Sequence, residues 1–62
     1  MTGDELRRLR WRLNMTQVEL AREIGIVSNS LARLERGERE IKAPLAKLIR
    51  MIERQYGMRA KA

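Results

Sequence analysis

Apolar residues recur along the chain at helical spacing, with polar residues between them and no strand-like alternation. Leu6, Leu9 and Leu13 fall on one stripe of a first helix over residues 2–13. Thr2 and Glu5 stand at the spacing of a capping box, in which each side chain bonds the other's free backbone N–H. Asn14 tolerates the left-handed conformation that ends helices, and Met15 returns the chain to the core. A second capping box, Thr16 and Glu19, opens a helix whose inner face is Leu20, Ala21 and Ile24, with Val18 partly exposed. It stops at Gly25, and Ile26 and Val27 cross a short apolar turn. A third helix is predicted over residues 28–36, with Leu31 and Leu34 inward and Gly37 as terminator. After a loop anchored by Ile41, a fourth helix is predicted over residues 44–56, with Pro44 at its first position. Its stripe is Leu45, Leu48, Ile49, Ile52 and Tyr56, flanked by Met51, and Gly57 is expected to end it.

These elements predict an all-α fold: a compact bundle of four, or five, short helices in one domain over residues 1–57. Residues 58–62 are expected to form a frayed tail. A chain of 62 residues buries only about 60% of its extended-chain surface, so its core must be efficient or shared with a second copy. No uncharged apolar run approaches the roughly 18 residues of a membrane span, and Asp4, Glu5, Arg7 and Arg8 interrupt any signal-peptide pattern.

The residues that are missing narrow the chemistry. There is no Cys, hence no disulfide, thiolate nucleophile or zinc finger, and no His to serve as general base, pH switch or metal ligand. The remaining nucleophile candidates, Thr2, Thr16, Ser28, Ser30 and a few Lys, have no obvious base beside them. The pairs Asp4/Glu5 and Glu38/Glu40 read as helix-start or solvated charges. No enzyme, metal site, cofactor or small-molecule ligand is expected. What remains is a charge of +6, from 14 basic and 8 acidic residues, eleven of the cations being Arg. Arg suits bidentate contacts to phosphate and guanine, so the balance points to a polyanionic partner, nucleic acid before an anionic membrane surface. The apolar stripes are needed to join four helices, which argues against a membrane-surface role. Trp11 and Tyr56 are too few aromatics for a base-stacking platform on single strands.

The second and third helices meet the demands of a helix-turn-helix unit. Ala21 is the small residue where the helices cross, Gly25 permits the turn, and Leu20, Ile24, Ile26, Leu31 and Leu34 anchor both sides. On a helical wheel the face opposite Leu31 and Leu34 carries Asn29, Ala32, Arg33 and Arg36. Asn can pair with adenine and Arg with guanine through two hydrogen bonds each, and Ala32 can touch a thymine methyl.

The stretches Met15-Thr16-Gln17-Val18-Glu19-Leu20-Ala21, Ile24-Gly25-Ile26 and Leu31-Ala32-Arg33-Leu34-Glu35-Arg36-Gly37 resemble the lambdoid repressor and Cro family, also called the XRE type. The resemblance covers about residues 6–52. It implies that the second helix lies across the DNA backbone while the third enters the major groove. It implies base contacts from Ser28, Asn29 and Arg33, with Ala32 beside them. Phosphate contacts are implied for Thr16, Gln17, Arg10, Arg36, Arg39 and Lys42, together with a partly buried salt bridge between Arg10 and Glu35.

The chain departs from the family pattern in three places. Val27 stands where relatives carry a capping hydroxyl, which predicts a shift of the cap to Ser28 and a rotated or shortened helix start. The following loop reads Glu38-Arg39-Glu40 where relatives are often basic, leaving Arg39 and Lys42 for phosphate. One helix follows the loop where many relatives have two, which leaves less private core and more reason to pair. Trp11 lies nearly opposite the Leu6–Leu9–Leu13 stripe, and packing on the C-terminal segment, on a partner chain or against DNA backbone all stay open.

By this resemblance the chain is expected to be a cytoplasmic, prokaryotic or phage homodimeric repressor, binding an inverted-repeat operator in double-stranded DNA. The expected dimer surface is Met51, Ile52, Tyr56 and Met58. An antitoxin-like protein-interaction module and an RNA-binding regulator are the rival readings.

Overall fold

The computed structural model describes residues 1–60, with side chains described through Gly57. Four helices follow in order: α1 (Gly3–Arg12), α2 (Gln17–Ile24), α3 (Ser28–Glu35) and α4 (Ala43–Ala60). No strand occurs among the described residues. α3 packs against both α1 and α2, and α4 closes the bundle against α2.

Local chemistry sets most of the helix ends. Thr2 and Thr16 are extended N-caps, each accepting from the amide of the Glu three residues on, while Glu5 and Glu19 accept from the cap amides. Such a cap contributes about 1 kcal/mol. Between α1 and α2 the chain reverses through Asn14 at φ 58. α2 stops at Gly25, whose φ of 92 would strain any residue bearing a Cβ; Gly37 holds φ 80 just beyond α3.

Two helix ends differ from expectation. The cap of α3 does not move to Ser28. Val27 itself is the N-cap, extended at φ −79 and ψ 153, and its carbonyl accepts from Ser30 and Leu31. The register is kept by the backbone, and the only loss is the side-chain cap bond. Gly57 does not end α4, which runs on to Ala60. Glycine weakens a helix interior by about 1 kcal/mol, too little to stop it where no αL turn is formed, and Gly57 is not among the positive-φ residues.

The core is Leu6, Leu9, Leu20, Ala21, Ile24, Leu31, Leu34, Ile41, Ile49 and Ile52, all buried, so both capped helices present their expected faces inward. Leu13, Met15, Ile26, Leu45 and Tyr56 pack around its edge. α4 is rotated slightly from its expected stripe. Ile49 is fully buried whereas its neighbour Leu48 is exposed.

Ion pairs tie α1 to α4 across the outside of the core: Glu5 with Arg50, and Arg12 with Glu53, which Arg50 also reaches. The Glu53 carboxyl is pushed up by burial but held below its usual value by these two arginines. These pairs are partly exposed, so water and salt screen them and they contribute little to stability.

Candidate nucleic-acid interface

The turn Gly25–Ile26–Val27 sets α3 across α2, with Ala21 buried at the crossing. The Gly25 and Ile26 amides both donate to the Ala21 carbonyl, at 2.8 and 3.0 Å, which fixes the turn to the end of α2. With Leu31 and Leu34 inward, Asn29, Arg33 and Arg36 are exposed, and Ser28 and Ala32 are half-buried beside them. These five side chains share the outer surface of one short helix. Arg33 makes no ion pair within 4.0 Å among the described residues, though its charge, with that of Arg36, acts on the Glu38 carboxyl. Arg36 pairs with Glu38 on the surface, an interaction readily exchanged for another anion. Arg36 holds the Glu38 carboxyl below its usual value.

Beneath this surface lies the one buried charged residue among those described. Glu35, at the last turn of α3, is 4% exposed. Its carboxylate accepts from Arg10 through Nε at 2.6 Å and Nη2 at 3.1 Å, a two-pronged pair between α1 and α3. The Gln17 side-chain amide, at the first turn of α2, donates to the same carboxylate at 3.1 Å. Arg7 adds its Nε at 3.7 Å and donates through Nη2 to the Glu35 carbonyl at 3.4 Å. Arg10 also donates to the Met15 carbonyl at 3.1 Å, holding the turn before α2. One carboxylate thus joins α1, α2 and α3. No buried side-chain N or O lacks a partner among the described residues. Burial pushes the Glu35 carboxyl up, but the bonds from Arg10 and Gln17 and the charges of Arg10 and Arg7 outweigh it and hold it below its usual value. Two arginines on one carboxylate leave a local excess of one positive charge beside the start of α2.

Arg7 was missed by the sequence reading. It lies three residues before Arg10 on the same helix face, a spacing that brings two side chains to one partner, but only the packing of α3 shows which partner. Thr16 caps α2, with its side chain engaged by the Glu19 amide. Arg39 and Lys42 are exposed in the loop after α3, on the rim of an open groove of about 420 Å³ floored by Ile26, Leu34, Pro44 and Leu45.

Other expected sites are changed by the fold. Ile52 is a core residue and has no surface to offer a second copy. Tyr56 is half-buried against the core, Met51 is exposed, and the Met58 side chain lies outside those described. Trp11 is 61% exposed and stands outside the buried core. The core needs only one stripe of α1, and α4 lies on the flank that carries Glu5 and Arg12, not on the outer face.

Two short helices crossing at a glycine turn, with the second helix's outer face bearing an amide and guanidinium groups, define a helix-turn-helix domain. The helix-turn-helix domain family matches residues 2–57, and the chain belongs to it, within the XRE or lambda-repressor type. Domains of this family bind DNA and are generally not enzymes. No curated protein and no solved structure matches the chain. No helix among the described residues is long and apolar enough to cross a membrane.

Proposed function

We propose that this chain is a sequence-specific regulator of transcription that binds double-stranded DNA as a homodimer and represses a small operon, its own included, of phage, anti-CRISPR or toxin–antitoxin type. It acts in the cytoplasm of a prokaryotic cell. The observation that supports this reading is the outer face of α3, where Asn29 and Arg33 are exposed side by side while Glu35 on the inner edge is gripped by α1 and α2. α3 enters the major groove. Ser28, Asn29, Ala32 and Arg33 face the bases, with Asn29 suited to adenine and Arg33 to guanine.

Thr16 and Gln17 meet a phosphate at the start of α2. The second N–H of the Gln17 amide remains for it while the first holds Glu35. Arg10 contributes charge at short range, since its Nε, Nη1 and Nη2 already donate within the protein. Arg36, Arg39 and Lys42 take phosphates on the other side of α3. These backbone contacts supply affinity and register, and the α3 face supplies sequence.

Pairing of two copies uses the exposed edge of α4. Pro44, Leu48 and Met51 follow at helical spacing and continue the apolar floor of the groove at Leu45. A twofold arrangement places two recognition helices about 34–36 Å apart, one DNA turn, on an inverted repeat. Sedimentation equilibrium is expected to show dimers that Met51→Glu weakens. A wild type that stays monomeric at high micromolar concentration refutes the homodimer.

The test of DNA recognition is a gel-shift series on the DNA upstream of the gene, with random DNA and RNA as competitors. Arg33→Ala should cost about 1–3 kcal/mol on the specific site and relax the preference at one base pair. Arg39→Ala should weaken all sequences alike and reduce the salt slope by about one. Equal losses from both variants on specific and random DNA contradict the assignment, and tighter binding to RNA replaces it with the RNA-binding alternative.

A further inference from the structure

The loop after α3 and the start of α4 leave an open groove of about 420 Å³, with Ile26, Leu34, Pro44 and Leu45 as its floor. Three segments far apart in the chain build it: the turn after α2, the inner edge of α3 and the first turn of α4. Arg39 and Lys42 stand exposed on its rim, with Glu40 between them in sequence. Neither cation makes an ion pair among the described residues, whereas Arg7, Arg8, Arg10 and Arg12 of α1 all do. An apolar floor beside unengaged positive charge suits a ligand that brings an apolar group and carboxylates together.

The shape and the charge narrow the kind of ligand. Sites for small molecules bury about 70–90% of what they hold, and this groove is open. An apolar side chain on a larger partner is shielded by the rest of that partner, so a protein fits the place better. The chain carries +6, which favours an acidic partner over a second copy. None of its own exposed large apolar side chains, Trp11, Val18, Val27, Leu48 and Met51, has an acidic residue on both sides in sequence. Among the described residues no aromatic ring lines the groove to stack a base.

We propose that the groove docks an acidic segment of a partner protein, an aliphatic side chain on the floor and flanking carboxylates at Arg39 and Lys42, and that this docking excludes DNA. The docking stands on the groove alone. The exclusion rests on the DNA reading proposed above, in which the same two cations take phosphates. A partner that engages both withdraws those contacts and brings negative charge against the duplex, so the two ligands compete.

The test uses the full chain and two probes: the acetylated, amidated hexapeptide Glu-Glu-Leu-Leu-Glu-Glu, and the same peptide with lysine for every glutamate. The acidic peptide should shift the NMR methyl signals of Ile26, Leu34 and Leu45 with a dissociation constant of about 0.1–1 mM, and the basic one should not. Lys42→Glu, at an exposed position, should weaken the acidic peptide about tenfold and let the basic peptide shift the same methyls. Arg22→Glu changes the net charge equally, at an exposed residue of α2 that does not line the groove, and should leave the acidic peptide's affinity unchanged. On a duplex selected by the wild type from random-sequence DNA, acidic peptide at about ten times its dissociation constant should weaken DNA binding about tenfold.

No methyl shift at millimolar acidic peptide overturns the docking. So does an equal loss from Lys42→Glu and Arg22→Glu, which marks attraction to net charge alone. Shifts of the Ile26 and Leu34 methyls on raising the protein concentration without peptide put a second copy in the groove and overturn it as well. If the peptide docks but DNA binding is unmoved, the exclusion falls and the DNA reading stands. If no duplex is selected at all, the DNA reading and the exclusion fall together, and the peptides alone decide the docking.

Discussion

Glu35→Ala should remove a large part of the protein's stability. The substitution leaves Arg10, 12% exposed at its side chain, without its two-pronged partner and frees the Gln17 amide that bridges α2 to α3. Removing one member of a buried ion pair costs about 3–5 kcal/mol, because the remaining charge stays desolvated. A domain of this size has a total stability of about 3–9 kcal/mol, so the variant should lose roughly half or more of it and its urea midpoint should fall in proportion. Replacing both partners, Arg10→Met with Glu35→Leu, should recover much of the loss, since no unpaired charge is then left inside. Urea denaturation followed by circular dichroism measures both. A single variant as stable as wild type would show that Glu35 is dispensable to the packing of α1, α2 and α3.

The same carboxylate gives the protein an acid limit. Its folded pKa lies below the ordinary 4.5. A group depressed in this way binds fewer protons folded than unfolded, so its contribution is complete above that ordinary value and is lost as pH falls through the folded one. Thermal stability should therefore be level above pH 4.5 with respect to this group and decline below it. Arg10→Met with Glu35→Leu should flatten that decline. Glu5, Glu38 and Glu53 are also held below their usual values, but as exposed or half-exposed surface groups they contribute less to the slope.

Gly3→Ala is expected to be nearly as damaging, for a steric reason. A Cβ on Gly3 would lie 2.4 Å from the Leu34 carbonyl oxygen and 2.5 Å from that of Glu35, both backbone atoms at the end of α3. No side chain can turn aside, so α1 must move away from α3 and strain the Arg7 and Arg10 contacts to Glu35. Overpacking of this kind costs about 1–3 kcal/mol, with the upper end expected here. Gly57→Ala is the control. Nothing lies within 4 Å of its Cβ position, and the residue sits inside α4 without positive φ. Alanine there should stabilise by about 0.5–1 kcal/mol. Thermal melts of the two variants should shift in opposite directions, and a shift of the same sign would contradict the close approach of α1 to α3.

How much of this was legible in the sequence depends on the distance over which each feature is decided. The capping boxes at Thr2/Glu5 and Thr16/Glu19, the reversals at Asn14, Gly25 and Gly37, and the buried stripes of α1, α2 and α3 all follow from residues within one or two turns of each other. Gly57 misled because a glycine past a stripe often marks an αL stop, whereas helix continuation costs it only about 1 kcal/mol. The proposed recognition face was readable because three-residue spacing fixes what lies opposite Leu31 and Leu34. Its support was only partly readable, since Arg7, Gln17 and Glu35 are separated by many residues and converge only when α1 and α2 dock on the end of α3.

The sequence by itself determined where α1 and α2 begin and end, which faces the first three helices bury and which polar side chains α3 turns outward. Those choices rest on steric limits and hydrogen bonds between near neighbours in the chain. Tertiary structure decided that Leu48 stays outside while Ile49 and Ile52 go in, that Trp11 faces away from the core, that Gly3 must remain bare, and that a single carboxylate clasps three helices. Each of those depends on the approach of segments far apart in sequence, and a local pattern carries no information about the separation or angle at which two such surfaces meet.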